Sequence, residues 1–328
     1  MKILSDISLA PYTTLRIGGP ARYFIEVHNE QELYEGLAFA KARPSGELPV
    51  FILGGGSNVL FADSGFDGLV VRPLFKGLEI SEVGPHFVRI RVGAGEILDD
   101  MIAWTVENNW WGLENLSFIP GLVGALAIQN VGAYGAEASE VIESVEVFDM
   151  LNGKSQMVNR EECRFGYRQS RFNTYDKGRF VILHVNLRLN KNGKANLAYR
   201  DVCEHFNSLG GLNPGLSEIR DAIIKIRKSK GQDPSEVWSA GSFFKNFIVE
   251  DNDGTQYKIL IGEILDKRLG LKGLRLGGAK LSEKQVLNMI NTGNATAKDC
   301  IDLFNKVRDI VRDKTGLELV NEPEFVGF

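Results

Sequence analysis

The chain has 328 residues, a length typical of about two domains that each bury their own core. Hydrophobic residues make up 44% and charged residues 24%, near the averages for soluble domains, which excludes collagen-like, disordered and coiled-coil proteins. The formal net charge of -4 supplies no basic surface for duplex nucleic acid or anionic lipid, so we expect neither as a partner.

The sequence also bears on compartment and metal use. Residues 1–14 contain no apolar signal-peptide core, and the chain has no apolar run of about 18 residues, the length of a membrane-spanning helix. We therefore expect a cytoplasmic protein without membrane insertion. The 3 cysteines and 4 histidines are widely separated and match neither a disulfide framework nor a zinc site, so we expect no metal.

Short apolar runs separated by glycine dominate the first part of the chain and predict β-strands. The predicted strands are 21–27, 48–53, 69–73, 87–92, 144–150 and 180–189. In the fourth run, valine and isoleucine alternate with Arg89 and Arg91, as expected for a strand with one buried face.

Apolar residues at helical spacing predict several helices. Asn29 and Glu32 resemble a capping box at the start of the first, and a second is predicted over 97–109. After a polar stretch at 191–196, helices are predicted over 216–230, 258–269 and 282–314, the last interrupted near Gly293 and ended at Gly316. With extended residues at 317–328, the fold class is α+β: a glycine-rich strand region followed by a smaller, more helical one.

An apolar strand at 51–53 runs into a first glycine cluster, Gly54, Gly55, Gly56, Ser57 and Asn58. A glycine loop leaves backbone N–H groups accessible, as needed to hold phosphate oxygens. Val59 stands where the Rossmann fingerprint has its third glycine, and the lysine of a P-loop is absent, so the cluster matches neither motif. A tight turn between two strands would explain the same residues.

A second glycine cluster, at 120–135, has small residues at nearly every second or third position. It leaves room for a large flat ligand against the backbone, although a closely packed turn or helix start would also account for it. Two such clusters in one strand-rich region favour a bulky phosphate-bearing cofactor. The candidate residues are Pro120, Gly121, Gly124, Ala125, Gln129, Asn130, Gly132 and Ala133.

Five separated motifs, at 54–58, 120–135, 163–170, 241–246 and 322–324, occur in the order seen in the UDP-N-acetylenolpyruvoylglucosamine reductase (MurB) family. The chain resembles the longer subclass, which has a tyrosine loop. The resemblance implies an FAD-binding fold of the vanillyl-alcohol oxidase (PCMH) type followed by a smaller α+β substrate-binding domain. It implies FAD-binding subdomains at 1–70 and 71–228, and a substrate-binding domain at 229–328 whose tail returns to the active site.

The same resemblance implies FAD-dependent, NADPH-driven reduction of UDP-N-acetylglucosamine enolpyruvate to UDP-N-acetylmuramate in peptidoglycan precursor synthesis. The partners would then be small molecules, NADPH and a UDP-sugar. The glycine clusters contain no histidine or cysteine, so we expect FAD to be held without a covalent bond.

Reduction of an enol ether conjugated to a carboxylate requires hydride, stabilisation of the developing negative charge, and a proton, of which the flavin supplies the first. Arg168 is the candidate for the charge, since a guanidinium binds a carboxylate bidentately. Ser242 resembles the proton donor of the family, and Glu324 resembles its third active-site residue. A strand-edge arginine, a turn serine and a solvated carboxylate are the alternatives.

Other positions resemble substrate contacts of the family: Tyr134, Arg227, Lys230, Asn246 and Gln285. Tyr199 resembles the tyrosine of the mobile loop. A solvated basic helix face would equally explain Arg227 and Lys230, and position 285 often carries a different residue in the family.

Two other functions are compatible with parts of the sequence. One is another flavin oxidoreductase of the same fold that acts on an alcohol or a sugar; many such enzymes attach flavin through histidine or cysteine. The other is a nucleotide-binding module without catalysis, which needs the glycine loops but gives Ser242 and Glu324 no role.

Overall fold

The computed structural model describes residues 1–42, 46–211, 213–251 and 253–328. The chain folds into two compact units. Unit 1 consists of Met1–Ser5, Tyr23–Gly55 and Gly68–Arg227, and unit 2 consists of Asp6–Arg22, Gly56–Asp67 and Lys228–Phe328. Each unit is therefore assembled from segments that are distant in sequence.

The strands are β1 (Leu4–Ser8), β2 (Pro20–Val27), β3 (Val50–Ile52), β4 (Val59–Phe61), β5 (Phe66–Pro73), β6 (Leu78–Val83), β7 (Phe87–Gly93), β8 (Gly132–Ala133), β9 (Ala136–Glu137), β10 (Ile142–Asp149), β11 (Lys154–Asn159), β12 (Phe180–Asn190), β13 (Trp238–Ser242), β14 (Phe247–Glu250), β15 (Gln256–Ile259), β16 (Arg275–Leu276), β17 (Ala279–Leu281), β18 (Asn288–Asn291) and β19 (Glu324–Val326). The helices are α1 (Glu30–Lys41), α2 (Leu98–Glu107), α3 (Gly124–Gln129), α4 (Arg160–Cys163), α5 (Arg200–Ser208), α6 (Leu216–Ser229), α7 (Ile261–Glu263) and α8 (Ala297–Thr315).

One sheet has the strand order β1-β2-β5-β3, and β3 runs parallel to β5. Helix α1 covers this sheet, because Leu33 and Leu37 lie in one apolar cluster with Ile25 of β2. The predicted start of α1 is confirmed, since the Asn29 side chain accepts a hydrogen bond from the Glu32 N–H at 2.9 Å.

A second sheet of unit 1 has the order β11-β10-β12-β7-β6 and is antiparallel throughout. The alternation predicted for β7 is confirmed: its valine and isoleucine side chains lie in the core, packed with apolar residues of α2. On the other face Arg89 and Arg91 form ion pairs with Glu143 and Glu146 of β10. The positive charges of β7 are thus paired with carboxylates of β10 on the same face of the sheet.

Unit 2 combines helix α8 with a sheet of order β13-β18-β17-β16. Phe243 and Phe244 follow β13 and are fully buried, and the Phe244 ring stacks on Phe304 of α8 with 5.4 Å between centroids. Strand β19 pairs in parallel with β4, which places residues 324–326 beside residues 59–61. The end of the described chain therefore packs against a segment that follows the first glycine cluster.

Two predicted helices are wrong in part. Within 258–269, strand β15 continues to Ile259 and helical turns occupy only 261–268. Within 282–314, residues 288–291 form strand β18, and α8 begins only after its cap, Thr296. The side chain of Asn291 donates to the carbonyl of Leu15 at 3.0 Å, a contact with a distant segment that local periodicity cannot reveal. The predicted end of α8 at Gly316 is confirmed, with φ of 74°.

The predicted domains at 1–70, 71–228 and 229–328 stay a prediction, because a division into compact units does not locate FAD or the substrate. Across the described ranges, no helix combines the length and hydropathy that a bilayer crossing requires.

The close approach of Gly56 to Tyr12 in unit 2 can be tested by substitution. Gly56 has φ of 65°, and a Cβ built on it would lie 1.9 Å from the carbonyl oxygen of Tyr12. We expect Gly56→Ala to lower the free energy of unfolding by about 3 kcal/mol, because left-handed strain and overpacking add. Urea denaturation measures this change.

Gly270→Ala is the matched control, since Gly270 has φ of 62° and nothing described within 4 Å of its Cβ position. It should lose only about 1 kcal/mol, the cost of the left-handed backbone. Equal losses of unfolding free energy in the two variants would show that the backbone at Tyr12 moves away from the new Cβ atom at little cost.

Candidate active site

The two glycine clusters meet in unit 1. A Cβ atom built on Gly55 would lie 2.6 Å from the Cα of Gly121, closer than real Cβ atoms approach other atoms. Residue 55 must therefore lack a side chain for the two loops to pack. At Gly54, by contrast, no atom of the described residues lies within 4 Å of the Cβ position. Close packing explains Gly55, whereas Gly54 borders open space.

The remainder of the first cluster belongs to unit 2. The Asn58 side chain donates to the carbonyl of Glu322 at 3.3 Å, and the Asn58 carbonyl accepts from the Glu324 N–H at 3.0 Å. Ser57 lies between Asn58 and the tightly packed Gly56 and is half-buried. This part of the cluster therefore holds the segment that carries Glu324.

The second cluster uses some of its backbone donors within the protein. The N–H groups of Val123 and Gly124 donate to the carbonyls of Glu96 and Ala94, both at 2.9 Å. These two N–H groups are therefore already bonded within the protein. This part of the cluster offers a ligand space beside small residues. Its half-buried candidates are Pro120, Gly121, Gly124, Ala125, Gln129, Gly132 and Ala133.

Arg168 lies at the tip of a turn against the second cluster. Gly166 and Gln169 exchange backbone hydrogen bonds at 3.0 and 3.1 Å, and Arg168 between them has φ of 55°. Its Nη2 donates to the carbonyl of Gly132 at 2.7 Å, and its guanidinium lies 5.3 Å from the ring centroid of Tyr167. The structure thus brings the predicted catalytic arginine to the predicted cofactor loop.

Two of the predicted substrate tyrosines are in contact. The rings of Tyr134 and Tyr199 meet edge to face, with 5.2 Å between centroids. Tyr134 is 7% exposed, whereas Tyr199, which precedes α5, is 42% exposed. Burial raises the pKa of Tyr134 to about 12, so its hydroxyl stays protonated near neutral pH. Tyr134 therefore offers a neutral hydroxyl, and Tyr199 covers part of its ring.

Asn115 fastens the segments that carry these tyrosines. Its Nδ2 donates to the carbonyls of Tyr134 and Asn196 at 2.8 and 2.9 Å, and the Asn196 side chain donates to the carbonyl of Gly135 at 2.9 Å. Asn115 is 1% exposed, and its Oδ1 is buried without a hydrogen-bond partner among the described residues. The polar stretch ahead of Tyr199 is thus anchored at Asn196.

Arg227, the third predicted substrate residue of unit 1, lies on α6 and hydrogen-bonds the Tyr134 hydroxyl. Its Nε donates to the carbonyl of Phe118 at 3.1 Å, and burial lowers the pKa of Arg227 below its ordinary value. Arg220, two turns earlier on α6, binds Asp99 of α2 bidentately at 2.6 and 2.9 Å. Burial opposes the charge of Asp99, but hydrogen bonds from Arg220 and the Phe118 N–H hold its pKa below the usual range. The structure therefore groups Tyr134, Tyr199 and Arg227.

Ser242 ends strand β13 in unit 2, directly after Gly241, whose φ is 75°. Its cross-strand partner is Asn288 of β18, which is 2% exposed and has an Oδ1 without a partner among the described residues. Phe243, the next residue, accepts at its carbonyl from the Glu322 N–H at 3.0 Å. Backbone pairing therefore brings the segments of Ser242 and Glu324 side by side.

The other predicted substrate residues of unit 2 are dispersed. The Asn246 Oδ1 accepts from the Ile261 N–H at 2.9 Å, so it helps to begin α7. The backbone of Gln285 accepts from the Asn288 N–H at 2.9 Å, in the bend before β18. Lys230 follows α6 and is half-buried.

Sequence reasoning missed Asn115 and Asn196 as structural supports of the site. A lone asparagine carries no local signal of its role. Asn196 lies in the polar stretch 191–196, and this composition indicates a loop. It does not indicate that the loop is anchored to Asn115 and Gly135.

Comparison with known families matches both parts of the chain. Residues 21–158 match the FAD binding domain family, and residues 233–326 match the C-terminal domain of UDP-N-acetylenolpyruvoylglucosamine reductase.

Relatives and a solved structure cover the chain almost completely. The UDP-N-acetylenolpyruvoylglucosamine reductase of Photobacterium profundum is 36% identical over 100% of this chain and 96% of its own length. That of Cutibacterium acnes is 37% identical over 98% of this chain and 90% of its length. The crystal structure of the reductase from Thermus caldophilus is 27% identical and superposes with a TM-score of 0.70, covering 99% of this chain and 98% of that one.

These similarities confirm the predicted fold class, an α+β protein with an FAD-binding fold followed by a substrate-binding domain. Because full-length relatives exceed 30% identity, the chain belongs to the UDP-N-acetylenolpyruvoylglucosamine reductase family.

Proposed function

We propose that Arg168, Ser242 and Glu324 carry the protein's share of an FAD-dependent reduction. The enzyme uses NADPH to reduce UDP-N-acetylglucosamine enolpyruvate to UDP-N-acetylmuramate in peptidoglycan precursor synthesis. The contact of the two glycine clusters at Gly55 and Gly121 is the observation that most supports an FAD-dependent reaction, because it joins the two loops proposed to hold the cofactor.

The residues of the glycine clusters fit FAD. Open space beside Gly54 and the small half-buried residues 120–133 leave room for a flat ring system, and the tight contact at Gly55 fixes the two loops relative to each other. The FAD, when bound, supplies hydride transfer. The proposed FAD residues are those predicted from the sequence other than Asn130, whose side chain binds protein atoms instead. Gly56 and Asn58 also serve the packing of unit 2.

Arg168 would bind the carboxylate of the enolpyruvyl group. A guanidinium remains charged at any physiological pH and can donate two parallel hydrogen bonds, which stabilises negative charge as it develops. The turn that carries Arg168 rests on Gly132, next to the proposed FAD loop, which supports this assignment.

Ser242 would deliver the proton, and Glu324 would act beside it. An unassisted serine is a weak acid, so a neighbouring polar group must support the Ser242 hydroxyl. The adjoining segments of Ser242 and Glu324 and the cross-strand position of Asn288 support a cooperative arrangement.

Tyr134, Tyr199 and Arg227 would bind the UDP group, because they combine ring faces, hydroxyls and a cation. We also propose Lys230, Asn246 and Gln285 as substrate contacts. We also assign the domains predicted above, a cytoplasmic location and small-molecule partners only, on the grounds that NADPH and a nucleotide sugar are the reactants.

The other flavin oxidoreductase considered above is not favoured, since the full-length relatives are reductases of the enolpyruvyl family. One experiment separates the two functions: NADPH should bleach the purified enzyme, and the enolpyruvyl substrate should restore its colour without oxygen. Recolouring by oxygen alone would favour an oxidase.

We expect the protein to purify yellow, with FAD released completely on denaturation. The glycine clusters contain no histidine or cysteine to form a covalent link. Absorbance of the supernatant and of the precipitate measures the release. Flavin that stays with the precipitated chain would contradict this expectation.

Ser242→Ala should leave NADPH reduction of the flavin nearly intact and slow reoxidation by the enolpyruvyl substrate about 10²- to 10⁴-fold, the usual loss for a positioned general acid. Stopped-flow absorbance follows the two half-reactions separately. Ser208→Ala, at an exposed position at the end of α5, is the control and should change neither rate. Equal slowing of both half-reactions by Ser242→Ala would show that Ser242 supports the fold or the flavin instead.

Tyr199→Phe should weaken substrate binding by about 0.5 to 1.5 kcal/mol, the net value of one hydrogen bond, with unchanged thermal stability. Titration of the oxidised enzyme with substrate and thermal unfolding measure the two quantities. The control is Tyr175→Phe, since Tyr175 is 78% exposed. Lower stability with unaltered affinity would mean that Tyr199 is packed permanently and does not cover the substrate.

A further inference from the structure

The side chain of Asn130 is hydrogen-bonded to protein atoms at both its nitrogen and its oxygen. Its Nδ2 donates to Glu137 Oε2 at 2.8 Å and to the carbonyl of Gly166 at 3.0 Å, which uses both amide hydrogens. Its Oδ1 accepts from the Ser139 N–H at 2.9 Å, and the residue is 1% exposed. An FAD molecule would find no N–H of this side chain available.

One of these bonds ends on the turn of Arg168. The Gly166 carbonyl that accepts from Asn130 also accepts from the Gln169 N–H, and the turn closed by that bond has Tyr167 and Arg168 at its centre. Asn130 therefore binds the base of the turn whose tip is Arg168.

Two further contacts join the same segments. Arg168 Nη2 donates to the carbonyl of Gly132 at 2.7 Å, and Ser170 Oγ donates to the carbonyl of Ile128 at 2.6 Å. Residues 128–132 thus hold residues 166–170 at three points, and Asn130 makes the central one.

This support matters because Arg168 has φ of 55°, a conformation that costs a residue with a side chain about 1 kcal/mol or more. A turn under such strain keeps its shape only when its surroundings fix it. Asn130 itself has φ of 45° at the end of α3, which directs its side chain from the helix end toward the turn.

We infer that Asn130 is a positioning residue that fixes Arg168 for the substrate carboxylate, and that its side chain does not bind FAD. This inference rests on the proposed role of Arg168. It leaves the other predicted residues of the second cluster, Gln129 included, as the proposed FAD residues.

Asn130→Gly tests the inference, because glycine tolerates the left-handed backbone and removes only the side chain. We expect the dissociation constant of FAD for the apoprotein and the rate of flavin reduction by NADPH to stay within twofold of wild type. Reoxidation by the enolpyruvyl substrate should slow about 10- to 100-fold, as expected when a catalytic group is misplaced by about 1 Å. A tenfold weaker binding of FAD, or equal slowing of both half-reactions, would overturn the inference.

Asn109→Gly is the matched control: Asn109 also has φ in the left-handed region, at 58°, and is exposed after α2. It should change none of these quantities.

A double-variant cycle with Arg168→Lys shows whether Asn130 acts through the arginine. Arg168→Lys alone should slow reoxidation, and adding Asn130→Gly should slow it less than about threefold further. If the double variant loses the product of the two single-variant losses in reoxidation rate, the inference is overturned, but the proposed role of Arg168 is not. Wild-type reoxidation in Arg168→Lys would overturn the proposed role of Arg168 and the inference with it.

A second variant covers the case in which Asn130→Gly does not fold. The pair Asn130→Asp with Glu137→Gln reverses the hydrogen bond between these side chains and keeps the acceptor for the Ser139 N–H, but it removes the donor to Gly166. This protein should bind FAD normally and show the same selective loss of reoxidation. Wild-type reoxidation in the folded double variant would overturn the inference.

Discussion

Left-handed backbone at residues with side chains is the constraint on which the site residues of unit 1 depend. Asn130, Tyr134 and Arg168 have φ of 45°, 49° and 55°. For Tyr134 and Arg168 this conformation costs about 1 kcal/mol or more, comparable to the net value of one hydrogen bond, whereas asparagine adopts it more readily. The required bonds come from asparagine side chains: Asn115 donates to the Tyr134 carbonyl, and Asn173 donates to the Arg168 carbonyl at 3.1 Å. A small set of amide groups thereby sets the direction of two larger functional side chains.

Unit 2 places its functional residues by different means. Ser242 and Glu324 stand on strands, where pairing with β18 and β4 fixes the backbone. Phe243, the residue after Ser242, packs in an aromatic cluster with Phe244 and Phe304. Hydrogen bonds between strand backbones persist when a side chain is changed, because no side chain takes part in them. At Ser242 the register of β13 on β18 shifts, and the Ser239 hydroxyl accepts from the Gly241 N–H at 3.1 Å, so one side-chain bond also supports this position.

The sequence predicted those elements whose periodicity is local. Strand β7 and helix α6 lie where alternation and helical spacing place them, because each buries apolar residues that recur at the period of the element itself. The spacing predicts a helix where the structure has strand β18, because its buried Asn288 and Asn291 pair with residues that are distant in sequence. The family motifs supplied the candidate site residues, and the glycine clusters supplied the cofactor loops. The contact of Gly55 with Gly121 and the supporting asparagines required three-dimensional structure, because residues far apart in sequence create them.

The parallel pairing of β4 with β19 links an early segment of the chain to a late one. Val59, at the start of β4, pairs with Glu324, so at roughly 5 to 20 residues per second a ribosome needs about 13 to 53 seconds to make the second strand after the first. During that interval β4, a strand of apolar residues, has an edge that its native partner does not yet cover. Unit 2 also draws on residues 6–22 and 228–328, so its core assembles only when late residues have emerged. Until residues 324–326 have been made, the apolar strand β4 is therefore open to pairing with the wrong segment or with another chain.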